Sequence, residues 1–360
     1  MPLPSWHPES LAARMPFLRR RALLTQATRA FFSARGYTEV ETAYAVPTPG
    51  EEVHLRAWRT RRHQPDGTAR DLWLHTSPEF AMKRLLVAGA GPIFQLARVW
   101  RDWEGGRRHL GEFTMLEWYR PGLGFDGLMD ETEAFLRAVL PPPLWAAGFE
   151  RITVAEAFAR WVGADVLATE GDAPALARQA GTERRGGPNW SEAWEDLFFR
   201  LLLERVEPHL GRDRPTFLTH WPAAQAALAR RDPADPRTAL RFELFVQGIE
   251  LANAFEELTD PSEQEARFRH DRARREALYG AADGPTWPMD DDLLTALRYG
   301  MPPSSGIALG FDRLAMLAAG GTKHYSELLK PFGLDAKDPK FWDGGLSVIA
   351  GMIDELEAMG

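Results

Sequence analysis

No cysteine occurs among the 360 residues. That absence excludes disulfides, Cys-ligated zinc and thiol catalysis, and it suits a cytoplasmic setting. No apolar run approaches the ~18 residues that a membrane-spanning helix needs. The N-terminal "MPLPSWHPESLAARMPFLRRRALL" holds no uninterrupted apolar stretch, so a secretory signal is not expected. A cationic surplus is missing as well: the net charge is −8, whereas sustained nonspecific grip on nucleic acid needs a basic face. There is no G-x-x-x-x-G-K-[ST] loop, no H-E-x-x-H helix and no G-x-S-x-G elbow, which excludes an ordinary P-loop NTPase, a zincin and an α/β-hydrolase. Internal repeats and low-complexity tracts are absent too.

What is there reads as a folded protein. The chain is 44% hydrophobic and 26% charged, the balance of one large or two ordinary globular domains. Apolar spacing predicts a helix over 17–35, stopped by Gly36. A strand is expected at 37–46, then a strand pair at 53–60 and 70–76 around "HQPDGT". "SPEFAMKRLLVAGA" (77–90) opens as a helix should, with Ser as cap, Pro in the first turn and an acid near the positive end. Residues 125–140 read as a helix broken by "PPPL". Residues 150–235 are Ala-rich and Gly/Pro-punctuated and read as a helical insertion; its best element is 191–206, with Trp194, Leu197, Phe198, Leu201 and Leu202 on one face. Strands are expected again at 240–250 and 306–311, with a helix at 312–319. The first and last strands must then pair over a long separation, so 1–140 and 236–323 form one sheet-based domain.

Residues 98–119, "RVWRDWEGGRRHLGEFTMLEWY", put four arginines, four carboxylates, one His and five aromatics into 22 residues. Strands at 93–101 and 112–119 make this a hairpin. The arginine clusters at 19–21 and 56–62 are by default solvated surface. The hairpin joins a wider set of charges on expected strands: Arg101, Glu117, Tyr119, Glu243, Glu250, Asn253, Glu257 and Arg313. Guanidinium forks suit polyphosphate. Paired glutamates suit Mg²⁺ shared with substrate phosphates. Buried glutamates with a tyrosine hydroxyl suit an ammonium group that would otherwise stay in water. Jointly they imply a site for a nucleotide, a magnesium ion and a cationic small molecule.

"TSPEFAMKRLLVAG", "FQLARVWRD…HLGEFTMLEWY", "RFELFVQGIELANAFEELTD" and "GIALGFDRLAML" resemble the catalytic domain of class II lysyl-tRNA synthetases, over about residues 10–320 and in order. The resemblance is closest to their short paralogues, the elongation factor P–(R)-β-lysine ligases. The chain starts almost at the catalytic domain, without room for an anticodon-binding barrel. Ala308 stands, as in the ligases, where synthetases have Gly. The resemblance implies an α+β fold, a class II aminoacyl-tRNA synthetase-like antiparallel sheet flanked by helices, and a homodimer through the first helix and strand. It implies ATP and Mg²⁺, lysine or (R)-β-lysine as substrate, and elongation factor P rather than tRNA as acceptor.

The resemblance also implies roles. Ser77, Pro78 and Glu79 would lie at the substrate's amino group. Glu117, Tyr119, Asn253, Phe255 and Glu257 would line the lysyl pocket, with Glu117 and Glu257 facing the side-chain ammonium and Ala308 shaping the backbone end. Arg101 would hold the α-phosphate and Arg313 the γ-phosphate, making these two the catalytic residues. Phe113 and Arg313 would sandwich adenine, His109 would reach the phosphate tail, and Asp102, Trp103, Leu110, Glu250, Leu251 and Gly310 would complete the ATP site. Glu243 and Glu250 would carry Mg²⁺.

The sequence departs from that pattern in places. Trp103 stands where synthetases place a Glu that contacts the adenine amine. Glu104 is adjacent, but on a regular strand its side chain points to the other face. Leu110 and Gly111 replace Asn-Pro, and Ala43 replaces a Pro of the dimer strand. Residues 324–360 form an appended tail that resembles the C-terminal end of M3-family oligoendopeptidases without their metal helix; Leu346, Ile349, Ile353 and Leu356 share one face of its expected helix. A reduced lysyl-tRNA synthetase-like ligase with another acceptor, and a non-catalytic nucleotide-binding paralogue, stay open as alternatives.

Overall fold

The structure, a computed structural model, describes residues 7–104, 110–182, 192–226, 228–283 and 286–319. His109 and the tail from 320 onward, with its expected helix, lie outside the described residues.

Helix α1 (Pro8–Ser33) begins well before the expected start at 17. Pro8 occupies the first helical position, where a missing N–H costs nothing, and His7 Nδ1 accepts from the Glu9 N–H at 3.3 Å. Pro16 sits inside the helix and removes one ladder bond, so the periodic pattern alone places the start after it. Gly36, at φ 78°, supplies the left-handed stop.

The expected strand at 37–46 divides between two sheets: β1 (Thr38–Glu39) joins the main one and β2 (Ala45–Val46) a small one. β3 (Arg59–His63) and β4 (Ala69–Leu74) complete the small sheet. The pair starts at Arg59, later than 53, because Arg61 lies opposite Asp71 and bonds it at 2.9 Å, which favours that register. Then come α2 (Glu79–Val87), the hairpin of β5 (Ile93–Trp100) and β6 (Glu112–Pro121), and α3 (Phe125–Val139). All four sit close to where the sequence pattern puts them.

Residues 150–235 are not solely helical. β7 (Glu150–Thr153) is followed by α4 (Val154–Ala157), α5 (Ala173–Gln179), α6 (Trp194–Leu201) and β8 (Thr216–Pro222). Both strands extend the main sheet. "TFLTHWP" is buried on nearly every residue, so it shows no polar alternation to betray a strand. The apolar face of α6 is as expected: Trp194, Leu197, Phe198 and Leu201 are buried.

The expected strand at 240–250 is a hairpin, β9 (Thr238–Val246) and β10 (Ile249–Glu256). It reverses at Gln247-Gly248, both left-handed at φ 53° and 71°. Such turns favour Asn-Gly or Asp-Gly, and the Gln hides this one. α7 (Pro261–Asp283) and α8 (Asp291–Gly300) follow, with no expectation drawn there; Phe268 is the large apolar side chain that α7 buries. β11 (Ser304–Gly310) and α9 (Phe311–Ala318) close the described chain.

The main sheet runs β1-β5-β6-β11-β10-β9-β8-β7. It is antiparallel except at β1–β5 and β7–β8. This is the expected α+β architecture. One face carries α1, α3 and α9 over a core in which Phe32 packs 4.9 Å from Phe94 and 5.0 Å from Trp118. Leu116 and Trp118 of β6 point into that core. Met115, Glu117 and Tyr119 alternate with them and point to the other face. No helix among the described residues is long and apolar enough to cross a membrane.

Candidate active site

Strand register carries the candidate residues across that second face in two neighbouring rows. Glu117 lies opposite Ala308, Ala308 opposite Asn253, and Asn253 opposite Glu243. One step along the strands, Tyr119 lies opposite Gly306, Gly306 opposite Phe255, and Phe255 opposite Arg241. A cavity of about 940 Å³ opens over these rows. Ser77, Glu79, Arg101, Leu110, Phe113, Tyr119, Glu250, Leu251, Asn253, Phe255, Ala308, Gly310 and Arg313 line it. Of the other expected residues, Glu117 and Glu257 are buried behind the wall, Glu243 is buried beside Arg241, and Pro78 caps α2 without lining the cavity.

At the acidic end, Ser77 Oγ donates to Glu117 Oε1 at 2.6 Å and accepts the Glu79 N–H at 3.0 Å. Ser77 thus stands one residue before the Pro78 cap, not at the cap itself as expected, and takes the first N–H of α2 while fixing a carboxyl. Tyr119 Oη donates to Glu117 Oε2 at 2.9 Å. Burial, then the nearby Glu79 charge, pushes the Glu117 carboxyl up to about 8. Behind this set stands a residue that motif reading missed. Lys83 Nζ lies 2.6 Å from Glu79 Oε1 and 2.6 Å from Glu257 Oε2. Burial works against its charge, but Glu257 and Glu79 outweigh burial and hold the Lys83 pKa above the usual lysine range. The available signal was its place one helical turn after Glu79.

At the basic end, the Arg101 guanidinium sits 5.2 Å over the Phe113 ring. Arg313 Nη1 donates to the Glu250 carbonyl at 2.5 Å and lies 3.6 Å from Glu250 Oε2. Asp102 and Trp103 are not on the cavity wall. The Asp102 N–H is tied to the Arg56 carbonyl at 2.7 Å. Trp103 is exposed, with the Arg56 guanidinium 3.6 Å over its ring. Its backbone is left-handed at φ 64°, rare for a bulky residue. That break in strand geometry brings Glu104 onto the cavity wall, 3.8 Å from Arg101. Burial raises the Glu104 pKa, while Arg101 and Arg313 pull it down.

The expected metal pair is close enough to couple. Burial raises the Glu243 pKa against the pull of Arg241, and the charge of Glu250 adds to the rise. Arg241 Nη2 donates to Glu243 Oε1 at 2.6 Å, its Nε to Asn253 Oδ1 at 3.2 Å and its Nη1 to the Gln225 carbonyl at 2.6 Å. Sequence reading passed over Arg241 too, although it shares a strand face with Glu243. Glu207, from the segment between β7 and β8, adds a third acid, pushed up to about 7 by burial and then by Glu250. No group of three or more His, Asp or Glu among the described residues is arranged to hold an ion by itself. Two carboxylates completed by substrate phosphates are nonetheless an ordinary Mg²⁺ arrangement, so the donor set fits.

A cavity on an antiparallel sheet, with arginines at one end and a hydrogen-bonded Ser–Glu–Tyr set at the other, fits the class II synthetase type of ATP-dependent ligase, which activates amino acids. The chain belongs to the family described as tRNA synthetases class II (D, K and N), whose model matches residues 12–323.

Proposed function

We propose that the protein activates (R)-β-lysine or lysine with ATP and transfers the aminoacyl group to a lysine ε-amine of elongation factor P. The observation that carries the amino-acid half is the buried Glu117, held just behind the cavity wall by Ser77 and Tyr119, which line it. A carboxyl held by hydrogen bonds at both oxygens is preorganised for an ammonium group, whose arrival favours its ionised form. Ala308 on the cavity wall supports the ligase reading, since its methyl narrows the end next to Asn253 and Glu117. The net charge of −8 supports a protein acceptor over tRNA.

In the first step the substrate carboxylate oxygen attacks the α-phosphorus in line, and the bond to pyrophosphate breaks. Arg101 stabilises charge on the phosphoryl oxygens, and Arg313 exchanges Glu250 for phosphate oxygen. Mg²⁺, held by Glu243 and Glu250 when bound, would neutralise phosphate charge. In the second step the neutral acceptor amine attacks the acyl carbon, AMP leaves with the bonding pair, and the amine proton passes to solvent. No side-chain base is required; positioning and electrostatics supply the catalysis. We also propose a homodimer through α1 and β1, a reading that the exposure of Leu23 on α1 supports.

Pyrophosphate exchange with lysine, (R)-β-lysine and other amino acids tests the first step. Label transfer to elongation factor P, measured against tRNA, tests the second. Exchange with none of them in the folded protein would make it a nucleotide-binding paralogue, and transfer to tRNA would make it a synthetase.

A further inference from the structure

Lys83 is used by none of the steps above, yet it is among the most buried side chains of the protein, 2% exposed. Its ammonium joins two carboxylates from different elements: Glu79, one turn earlier on α2, and Glu257, just past β10. Glu79 lines the cavity; Lys83 and Glu257 do not. Glu79 acts on both Glu117 and Glu257, and all three carboxylates act on Tyr119. Arg101 acts on Glu117 from the far side, and Glu52 and Asp271 form a further acidic pair beside Glu79. Lys83 sets a cation against two of these acids, and its charge pulls the Glu257 pKa down against burial.

We propose that Lys83 is a positioning residue for amino-acid recognition: its buried ammonium clamps Glu79 and Glu257 in place, so that Glu79 and the Glu117–Tyr119 pair are ready for the substrate's amino groups. This rests on the amino-acid-activating reading given above. Lys83 takes Glu79 Oε1 and leaves Oε2 outside the pair. It also takes Glu257 Oε2 at 2.6 Å, so the two carboxylates share one buried cation. Remove the internal cation and its downward pull on the Glu257 carboxyl is lost, so the acids of the cluster keep protons to higher pH. Glu79 also loses the partner that fixes its carboxylate at the cavity wall. Amino-acid affinity then falls, and it recovers only at the higher pH where the acids lose those protons.

The test compares Lys83→Met and Lys83→Arg with the wild type, measuring the binding of ATP and of lysine separately by calorimetry between pH 6 and 9. For Lys83→Met the lysine Kd rises roughly tenfold or more, the scale of losing a charge-assisted hydrogen bond. The pH midpoint of lysine binding moves upward by roughly one unit, while the ATP Kd stays within about twofold. Lys83→Arg keeps the charge, so its midpoint stays at the wild-type value although its lysine Kd rises. A folded Lys83→Met with wild-type lysine affinity and midpoint would overturn the proposal. So would equal losses for ATP and lysine, which would make Lys83 merely structural. Should Lys83→Met not fold, Lys83→Arg decides: an unchanged lysine Kd overturns the assignment. If the wild type binds no amino acid at all, the functional reading itself fails, an outcome separate from these.

Discussion

Gly306 lies directly across the β6–β11 pairing from Tyr119, and a Cβ at that position would stand 2.2 Å from the Tyr119 ring and 2.5 Å from Glu257 Oε1. The strand thus passes between two members of the acidic end without touching either. Gly306→Ala forces ring and carboxylate apart in a packed layer, at a cost of about 1–3 kcal/mol of stability. The expected outcome is a folded variant with a lower melting temperature and lysine binding reduced tenfold or more (~1.4 kcal/mol), while ATP binding is retained. Parallel calorimetry for the two ligands checks it.

Glu117 predicts a proton coupled to amino-acid binding. At neutral pH its carboxyl, pushed up to about 8, is mainly protonated in the empty site. An arriving ammonium favours the carboxylate and drives the proton off. Binding at pH 7 therefore releases protons, release fades above about pH 9, and affinity climbs between pH 6 and 8. Binding enthalpies in buffers of different ionisation heat give the proton count; zero at pH 7 would contradict the assignment.

The same group makes a prediction about stability. An unfolded glutamate ionises near ~4.3, whereas native Glu117 keeps its proton to about 8. Between those values the native state binds more protons, so this contribution to stability declines as pH rises and levels off above about 8. Glu117→Gln cannot ionise and escapes that decline. Its stability relative to wild type should therefore grow from pH 5 to pH 8 in urea melts; a constant difference would refute the argument.

Arg101 and Glu104, 3.8 Å apart at the basic end, should have opposite effects on nucleotide. Arg101→Ala removes the charge aimed at the phosphoryl oxygens and should lower pyrophosphate exchange by about a hundredfold or more. Glu104→Gln removes a negative charge from the same wall and should tighten ATP binding by a few-fold, the scale of a weak ion pair, with less gain at high salt. Weaker ATP binding would show instead that Glu104 makes a direct contact with the nucleotide.

Arg241 ties the two rows of the site together, bonding Glu243, Asn253 and the Gln225 carbonyl with its guanidinium 4.0 Å over the Trp221 ring. Arg241→Lys keeps the charge but loses the planar fork and the stacking. A stability loss of about 2–4 kcal/mol is expected, together with a higher KM for the amino acid through Asn253. Denaturant melts and exchange kinetics measure both.

The sequence by itself determined much of this protein. Helical spacing with Gly36 as a stop, the Ser-Pro-Glu opening of α2, and the strand–loop–strand pattern of 93–119 are local signals, and each became the element it announced. Most of the motif residues also lie on the cavity wall. Tertiary structure decided the rest, wherever a residue's environment comes from a segment far along the chain. β8 showed no alternation because both its faces are covered. The Gln247-Gly248 turn split one apparent strand into two. Trp103 turned outward onto Arg56, and its left-handed backbone carried Glu104 to the wall. Above all, motif reading picked out Glu79, Glu117 and Glu257 but passed over Lys83. Only the fold, by bringing α2, β6 and the end of β10 together away from water, gives Lys83 two carboxylates and leaves Glu117 holding a proton, because desolvation and Coulombic pairing depend on neighbours in space.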